Sequence, residues 1–565
     1  MDRRTTLRKF LGADAAASTG TVLQDDALPI AGGLTPYFGT WNYATAAHLL
    51  RRAMFGPTHD QIVKAVSEGL PATLAQLLSP STLPDPPVVY YDTPVDPNVG
   101  KGSSWVTTPL NQQIQGNVNF KETSLYAWLM EQMFTEKVSL TEKMTLFWHN
   151  HFVVSNIYDP RMNFDYITLL RKNCLGNFKS LATQITIDKA MLIYLNGNTN
   201  NKNAPNENYA RELMELFTLG KGELAGPGDY TTYTEQDVEA LAKALTGWFV
   251  YTNRNDPTVY PEARFNSNAH DATSKQLSHR FNNKVIVTTG SGIERGKTEY
   301  QEVIDIIFQK REAATFICRK LYRYFIYYKV NASIENEIVE GLGDILIANN
   351  FDIAPVVEAL LGSSHFYSEE ALGCMIRPPY EFVFNTVKAM KYVPPTDLAE
   401  KYNAYLFFYR NTTGMQQTYF DLPSVAGWTP YYQEPSFHEI WVNSVTLPLR
   451  TTFTTGFANR AVRIRNVAGM AGLELAIYVS GFSNPGSATQ LIDDVVAHLL
   501  PQAIYQNQKD YLKTKLLGAN TEAQWTTMWN NYKNNPTNTQ AKTAVETRLK
   551  PLFVSLLSMP EYYLS

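Results

Sequence analysis

The stretch NENYARELMELFTLG, residues 206–220, decides the fold. Its apolar residues recur at helical spacing, Pro205 precedes it and Gly220 closes it. Proline is tolerated in the first turn of a helix, and glycine commonly follows the last one, so both ends are marked. The pattern predicts a helix over residues 206–219 with one apolar face and one polar stripe.

The same periodicity recurs on both sides of this stretch. Two capping patterns support it, Ser139-Leu140-Thr141-Glu142 for a helix that starts near Leu140 and Thr234-Glu235-Gln236-Asp237 for a helix that ends near 246. Further helices are predicted at 42–54, 59–67, 123–135, 300–309, 313–328, 335–348, 353–361, 380–391, 488–504, 507–516 and 541–558. The chain is therefore expected to be mainly α, a large multi-helix body with irregular loops.

We expect residues 36–565 to form a single large helical domain with two segments that lack helical periodicity. Residues 78–106 are dense in Pro, Asp and Gly, which predicts an extended surface linker segment. Residues 251–297 read as an irregular, lid-like insertion, in which 263–266 and 279–286 pair as a small β-hairpin. The region 410–445 is also expected to be irregular.

Composition restricts the class of protein. The 565 residues are 44% hydrophobic and 18% charged, a balance typical of a globular chain. A net charge of −4 gives no reason to expect a nucleic-acid partner, because phosphate binding requires a concentrated basic patch. The three cysteines have no CxxC spacing, so neither a zinc ribbon nor a disulfide framework is indicated. No stretch is apolar for long enough to span a bilayer.

The first 35 residues read as a targeting signal and linker. Arg3 and Arg4 precede a short apolar stretch and the small residues 15–17, as in a twin-arginine export signal. Such a signal places the mature protein in the periplasm or outside the cell. An uncleaved basic tail is the alternative, because Thr6 and Asp14 depart from the usual pattern.

Six blocks stand out along the chain: HLLRRAMFG (48–56), MTLFWHNHF (144–152), residues 206–220, ALTGW (244–248), His270-Asp271 and PSVAGW (423–428). Together they resemble the signatures of the bacterial domain-of-unknown-function-1800 family. The resemblance spans nearly the whole chain in the expected order. It implies an exported, mainly helical protein, often encoded beside a sulfatase-like family, with no settled activity and no functional residues to transfer. This chain departs from many relatives at Ser424, where they have Asn, and in an aromatic insertion at 431–438.

Five side chains are candidate ligands for a divalent metal, zinc, iron or copper. His149 and His151 lie at the predicted end of one helix, and Glu212 and Glu215 are one turn apart on another. Together with His270 they supply the imidazoles and carboxylates that such ions prefer. Asp271, as orienter or base, and Arg211 are the candidate catalytic residues, and Glu142 is expected to orient His149 from the same helix face. The candidate residues are His149, His151, Glu212, Glu215, His270, Asp271 and Arg211.

Each candidate also has a structural reading. Two residues apart on a helix point about 200 degrees apart, so His149 and His151 share a site only where the helix ends. Each histidine could instead cap the helix or be hydrogen-bonded in a polar core. The Glu212 stripe is what a surface helix shows, and Arg211 could pair with a carboxylate to lock two helices together. His270 could be an exposed loop residue.

Aromatic residues near 428–441 form a further candidate site. Trp428, Tyr431, Tyr432, Phe437 and Trp441 could stack on sugar rings of a polysaccharide, or could simply anchor the core and loops.

Two functions follow from the sequence. One is an exported metal-dependent enzyme, hydrolytic in its reaction, that acts on envelope or extracellular polymers. The other is a non-catalytic cell-surface binding or assembly factor that works with a sulfatase-like partner protein.

Overall fold

A computed structural model describes residues 28–30, 32–91, 98–110, 114–252, 259–287, 289–428 and 438–565. Helices make up 54% of the chain, and the described residues contain three small two-stranded antiparallel sheets besides. The prediction of a mainly α protein is confirmed. The bulk of the expected signal and linker, residues 1–27, lies outside the described residues.

The first half of the chain contains ten helices within the described ranges. Asn42, Thr58 and Thr234 begin three of them with capping boxes, as short polar side chains do. The bounds are α1 Tyr43–Ala53, α2 His59–Glu68, α3 Leu70–Leu78, α4 Asn117–Thr135, α5 Thr141–His151, α6 Pro160–Lys172, α7 Phe178–Thr186, α8 Lys189–Tyr194, α9 Glu207–Glu215 and α10 Glu235–Ala244.

The second half adds twelve helices within the described ranges. The bounds are α11 Gly292–Ile307, α12 Glu312–Phe325, α13 Glu340–Ala348, α14 Ile353–Leu361, α15 Pro379–Val387, α16 Leu398–Gly414, α17 Thr446–Asn459, α18 Leu475–Val479, α19 Ala488–Leu499, α20 Gln506–Leu517, α21 Glu522–Asn534 and α22 Thr539–Leu557. A short turn, Ala332–Ile334, and a π-helical stretch, Glu335–Val339, lead into α13. None of the described helices is both long and apolar enough to cross a membrane.

The strands form three separate hairpins among the described residues. β1 Leu224–Gly226 pairs with β2 Asp229–Tyr230, β3 Trp248–Tyr251 with β4 Glu262–Phe265, and β5 Lys275–Gln276 with β6 Val285–Ile286. The predicted pairing of 263–266 with 279–286 is therefore wrong. Residues 248–251, which follow α10 directly and are rich in aromatic and β-branched side chains, take the place of 279–286 as the partner of β4.

The segment 78–106, of which the structure describes 78–91 and 98–106, contributes side chains to the core. Val89 and Tyr90 are buried, and the Tyr90 ring stacks on Phe120 and Tyr402. Trp105 is also fully buried. Because aromatic side chains bury a large apolar area, these residues fasten their part of the chain to the helical body.

Helices α6, α7 and α8 run where the sequence analysis predicted no helix. Asp159, Asn177 and Asp188 cap their starts by accepting hydrogen bonds from the first turn. Three short capped helices in succession present too few turns for the apolar periodicity to stand out, but the caps themselves were a readable signal.

Candidate functional site

His149 lies in the core at the end of α5, and both of its ring nitrogens are hydrogen-bonded. The backbone N–H of Phe420 donates to Nε2 (3.1 Å), so this nitrogen carries no hydrogen. Nδ1 must then hold the hydrogen and donate to the Tyr166 hydroxyl (3.1 Å), which in turn donates to the Phe152 carbonyl. The ring also stacks on Tyr419. Burial lowers the pKa of His149 to about 3, so the imidazole is neutral at physiological pH.

His151 is bound by a different set of groups. Its Nε2–H donates to the Phe217 carbonyl (3.0 Å), and Nδ1 accepts from the Lys320 ammonium (3.1 Å). Lys320 also donates to the Leu216 carbonyl (3.1 Å). Burial and the charge of Lys320 hold the pKa of His151 well below its usual value. His149 and His151 therefore face opposite parts of the core and do not share a ligand position.

Asn150, between the two histidines, holds the Ala-Gly-Trp block. Its Oδ1 accepts from the backbone N–H of Trp428 (2.8 Å). Gly427 has a φ of +99°, and a Cβ at that position would lie 2.6 Å from the Asn150 carbonyl oxygen. Only glycine fits such a conformation and such a close approach. The two blocks that the sequence separates by more than 250 residues are thus in direct contact.

The acidic face of α9 lies at the surface and is only partly engaged. Tyr233 donates from its hydroxyl to Glu215 Oε2 (2.7 Å), and Lys221 lies 3.5 Å from Glu215 Oε1. The Glu212 carboxylate makes no hydrogen bond or ion pair with the described residues, although the backbone carbonyl of Glu212 accepts from Leu216 and Phe217. Burial and the charge of Glu215 raise the pKa of Glu212. Arg211 forms a bidentate pair with Glu235 (2.7 and 2.6 Å), which joins α9 to α10.

His270 is buried rather than exposed in its loop. Nδ1–H donates to the Thr246 carbonyl (2.9 Å), and Nε2 lies 3.1 Å from Glu299 Oε1. Lys275 donates to the other oxygen of Glu299 (2.6 Å), and the three side chains are fully buried. Because a carbonyl only accepts, a proton must lie between His270 Nε2 and Glu299, and the three side chains carry one net positive charge wherever it sits.

Asp271 does not use its carboxylate on His270. Its Oδ1 accepts from the backbone N–H and the hydroxyl of Thr273 (2.8 and 2.5 Å), and its carbonyl oxygen accepts from Lys275. Glu142, expected beside His149, is instead paired with Arg171. The Asp271 carboxylate therefore stabilises a turn, and the Glu142 carboxylate stabilises the packing of α5 on α6.

The candidate ligands therefore fall into separate places in the molecule. Within the ranges that the structure describes, no three His, Cys, Asp or Glu side chains come together in a way that could hold a metal ion. A single centre of His149, His151, Glu212, Glu215 and His270 is not assembled, because three of these side chains are committed to backbone carbonyls and amides in different parts of the core.

The basic pair of the block at 48–56 binds the carboxyl ends of two other helices. Arg51 Nη2 donates to the carbonyls of Ala497 and His498 in the last turn of α19 (2.6 and 2.7 Å). Arg52 Nη2 donates to the carbonyl of Ile326, directly after α12 (3.2 Å). Carbonyls at a helix end lack intrahelical partners and carry the negative end of the helix dipole, so a buried cation stabilises them.

The aromatic candidates divide between core and undescribed chain. Trp428 and Trp441 are both buried, so neither is available to stack on a sugar. Tyr431, Tyr432 and Phe437, with most of the insertion at 431–438, lie outside the described residues.

Sequence reasoning also missed the partners that matter most to the buried histidines, Tyr166, Lys320 and Glu299. Each of these lies on a different helix from its histidine, and no local pattern links the two.

Comparison with known proteins gives one match. The model of a family described as "Protein of unknown function (DUF1800)" matches residues 48–564. Neither a curated protein nor a solved structure matches the chain.

Proposed function

Because this chain belongs to the DUF1800 family, as its signature blocks indicate, we propose a function from its own residues: an exported, non-catalytic binding or assembly protein of the cell envelope. Its partner is a sulfatase-like protein, the class that the family resemblance points to. The twin-arginine-like residues 3–11 support export, and the periplasm or the cell surface is the proposed location.

The observation that carries the proposal is the burial of the signature histidines. His149 is 0% exposed and His270 is 2% exposed, and both bind the main chain of other elements. A group that acts on an envelope polymer must reach the polymer, and a general base works best with a pKa near the operating pH. His149, fully buried and with a pKa of about 3, meets neither requirement.

The arginines of the signatures support the same conclusion. Arg51 and Arg52 cap helix ends, and Arg211 joins two helices through Glu235. A family whose shared polar residues hold distant elements together preserves a rigid scaffold. Rigid scaffolds are what binding and assembly proteins present to their partners.

The metal-dependent hydrolase is the second candidate, and one feature favours it. Glu212 and Glu215 lie one turn apart on α9, and the Glu212 carboxylate has no hydrogen-bond or ion-pair partner among the described residues. Two neighbouring carboxylates attract a divalent cation, and such an ion would polarise a scissile group and lower the pKa of a bound water. This candidate requires further ligands that the described residues do not bring to the pair.

The test uses the exported protein, purified without a metal-binding tag. Its metal content is measured by inductively coupled plasma mass spectrometry, and its binding to the sulfatase-like protein encoded beside it and to envelope polysaccharide is measured by calorimetry. The proposal expects substoichiometric metal and saturable binding of the protein partner. Stoichiometric metal that is lost in Glu212→Gln/Glu215→Gln, together with hydrolysis of the polymer, would replace the binding role with the hydrolase.

A matched variant keeps the result interpretable. Glu235→Gln removes a partly exposed carboxylate from the neighbouring helix but leaves Glu212 and Glu215 intact. A metal that is lost equally from this variant reflects weak surface binding and leaves the binding role standing.

A further inference from the structure

Arg450, in α17, is fully buried with donors that meet no acceptor. Its Nη2 donates to the carbonyl of Arg377 (2.9 Å), while Nε and Nη1 are buried without a hydrogen-bond partner in the described residues. A guanidinium has five N–H donors and cannot turn them to solvent here. Buried donors without acceptors are costly, so native proteins seldom leave them unmatched.

The charge of Arg450 is only partly balanced by its surroundings. The guanidinium lies over the Phe382 ring (4.7 Å) and near the Tyr563 ring (6.0 Å), whose faces are weakly negative. Glu381 is the nearby carboxylate, but Lys143 is already paired with it. Burial lowers the pKa of Arg450 to about 9, so it remains charged at neutral pH.

The wider cluster has an excess of positive charge. Arg52 and Arg377 influence one another, Arg377 faces Arg450, and Lys143 lies beside Arg52. The Glu381 carboxylate acts on three of these cations, Arg377, Arg450 and Lys143. Glu136 also lies near Lys143, and burial raises the pKa of its carboxyl group. Backbone carbonyls accept hydrogen bonds from the guanidinium groups of Arg377 and Arg450. Arg450 is the cation of this cluster whose charge is least compensated.

A second buried side chain faces the same segment, residues 377–382. The backbone N–H of Tyr380 donates to Gln417 Oε1 (3.0 Å), which fixes the orientation of this amide. Gln417 Nε2 therefore does not face the Tyr380 N–H, and this nitrogen too is buried without a hydrogen-bond acceptor among the described residues. Gln417 and Arg450 are both 0% exposed. Two side chains that contact the first turn of α15 thus present N–H groups only.

We propose that Arg450 and Gln417 bind a small inorganic anion, chloride under physiological conditions, inside the core at the first turn of α15. N–H donors with an excess of positive charge select a negative ion over a cation. Full burial between Phe382 and Tyr563 favours a monatomic ion, because a phosphate or carboxylate ligand brings oxygens that need more donors than this site offers. The site does not depend on the proposed binding role.

The first test uses the intact chain crystallised in sodium bromide, with data collected at the bromine absorption edge. We expect an anomalous peak within hydrogen-bond distance of Arg450. Peaks confined to surface arginines, with water beside Arg450, would overturn the proposal.

The second test measures thermal unfolding as sodium gluconate is exchanged for sodium chloride at constant ionic strength. A ligand that binds only the folded state raises Tm with its concentration. We expect a saturable rise of several degrees in wild type and none in Arg450→Met. Arg311→Met is the matched control, since Arg311 is an exposed arginine with its own surface partners, and it should keep the full chloride response.

Gln417→Glu keeps the proposal testable if Arg450→Met fails to fold. The new carboxylate places a negative charge in the proposed site and still accepts from Tyr380. We expect this variant to be more stable than wild type in gluconate and to lose the chloride response. An unchanged chloride response in a folded Gln417→Glu protein would contradict the site.

Discussion

The end of α5 and the face of α9 carry the two most specific sequence signatures, and the structure uses them in different ways. At the end of α5, His149 and His151 are buried and Asn150 is partly buried, and each binds the backbone of a distant segment. On α9, Glu212 and Glu215 are half-buried, and the Glu212 carboxylate binds no side chain or backbone group of the described residues. The signature on α5 therefore marks contacts that hold the fold together. The signature on α9 marks a surface whose carboxylates are available for another role.

The largest expected effect is at the buried end of this comparison. His149→Ala removes a ring that binds Phe420 and Tyr166 and stacks on Tyr419, and we expect a loss of about 3 kcal/mol in unfolding free energy. The measurement is urea unfolding followed by tryptophan fluorescence. His279→Ala is the control, because His279 is 59% exposed and its removal should have little effect. Equal stability of the two variants would show that His149 does not stabilise the fold.

Gly427→Ala tests the contact between α5 and the Ala-Gly-Trp block. The added Cβ meets the Asn150 carbonyl, and the residue must keep a φ of +99°, so we expect a loss of about 2 kcal/mol. Gly469→Ala is the control, because Gly469 also has a positive φ but a Cβ there meets nothing within 4 Å. The difference in unfolding free energy between the two variants isolates the contact. A difference near zero would mean that this approach is not tight.

The pH dependence of the unfolding free energy tests the buried, neutral state of His149 at the end of α5. The pKa of His149 is about 3 in the folded protein and near 6.5 when unfolded, so only the unfolded chain takes up the proton between these values. Stability from this group is present above pH 6.5 and is lost as the pH falls toward 3. His149→Phe should therefore lose about 2 kcal/mol less than wild type between pH 7 and pH 5. Parallel stability curves would show that His149 titrates normally in the folded state.

Glu212→Gln gives the smallest expected effect. Removing one of two neighbouring half-buried carboxylates relieves their repulsion, so we expect a change within about 0.5 kcal/mol, in the stabilising direction. Glu235→Gln, which loses the bidentate pair with Arg211, should instead be slightly destabilising. Thermal unfolding of both variants at low ionic strength checks the opposite signs. A large loss in Glu212→Gln would place this face with the structural signatures.

The sequence predicts the helices well where both ends carry a chemical marker. Thr234 caps its helix as predicted, and α9 follows its proline, although it becomes irregular after Glu215. The helix predicted at 59–67 is also present and is capped by Thr58. The starts of α4 and α11 lie earlier than predicted, because Gly116 and Ser291 begin them without side-chain caps. Short capped helices, and apolar segments such as 88–90, depend on tertiary packing that periodicity does not contain.

The candidate site was harder to predict than the fold. Residue types at the right spacing suggested a metal centre, but the partners of each histidine decide its role, and Phe420, Lys320 and Glu299 lie far away along the chain. The alternative reading of Arg211 as a lock between helices matches its pair with Glu235. The local sequence therefore identifies structurally important residues more reliably than it predicts the role of each one.

The most direct test of the structural role of the signature histidines is a nitrogen-15 NMR titration of histidine-labelled protein. The structure predicts that His149 is a neutral imidazole with its hydrogen on Nδ1, that its signals do not titrate between about pH 5 and 8, and that added zinc leaves them unchanged. A His149 resonance that titrates near its ordinary pKa, or that shifts on stoichiometric zinc, would contradict this account.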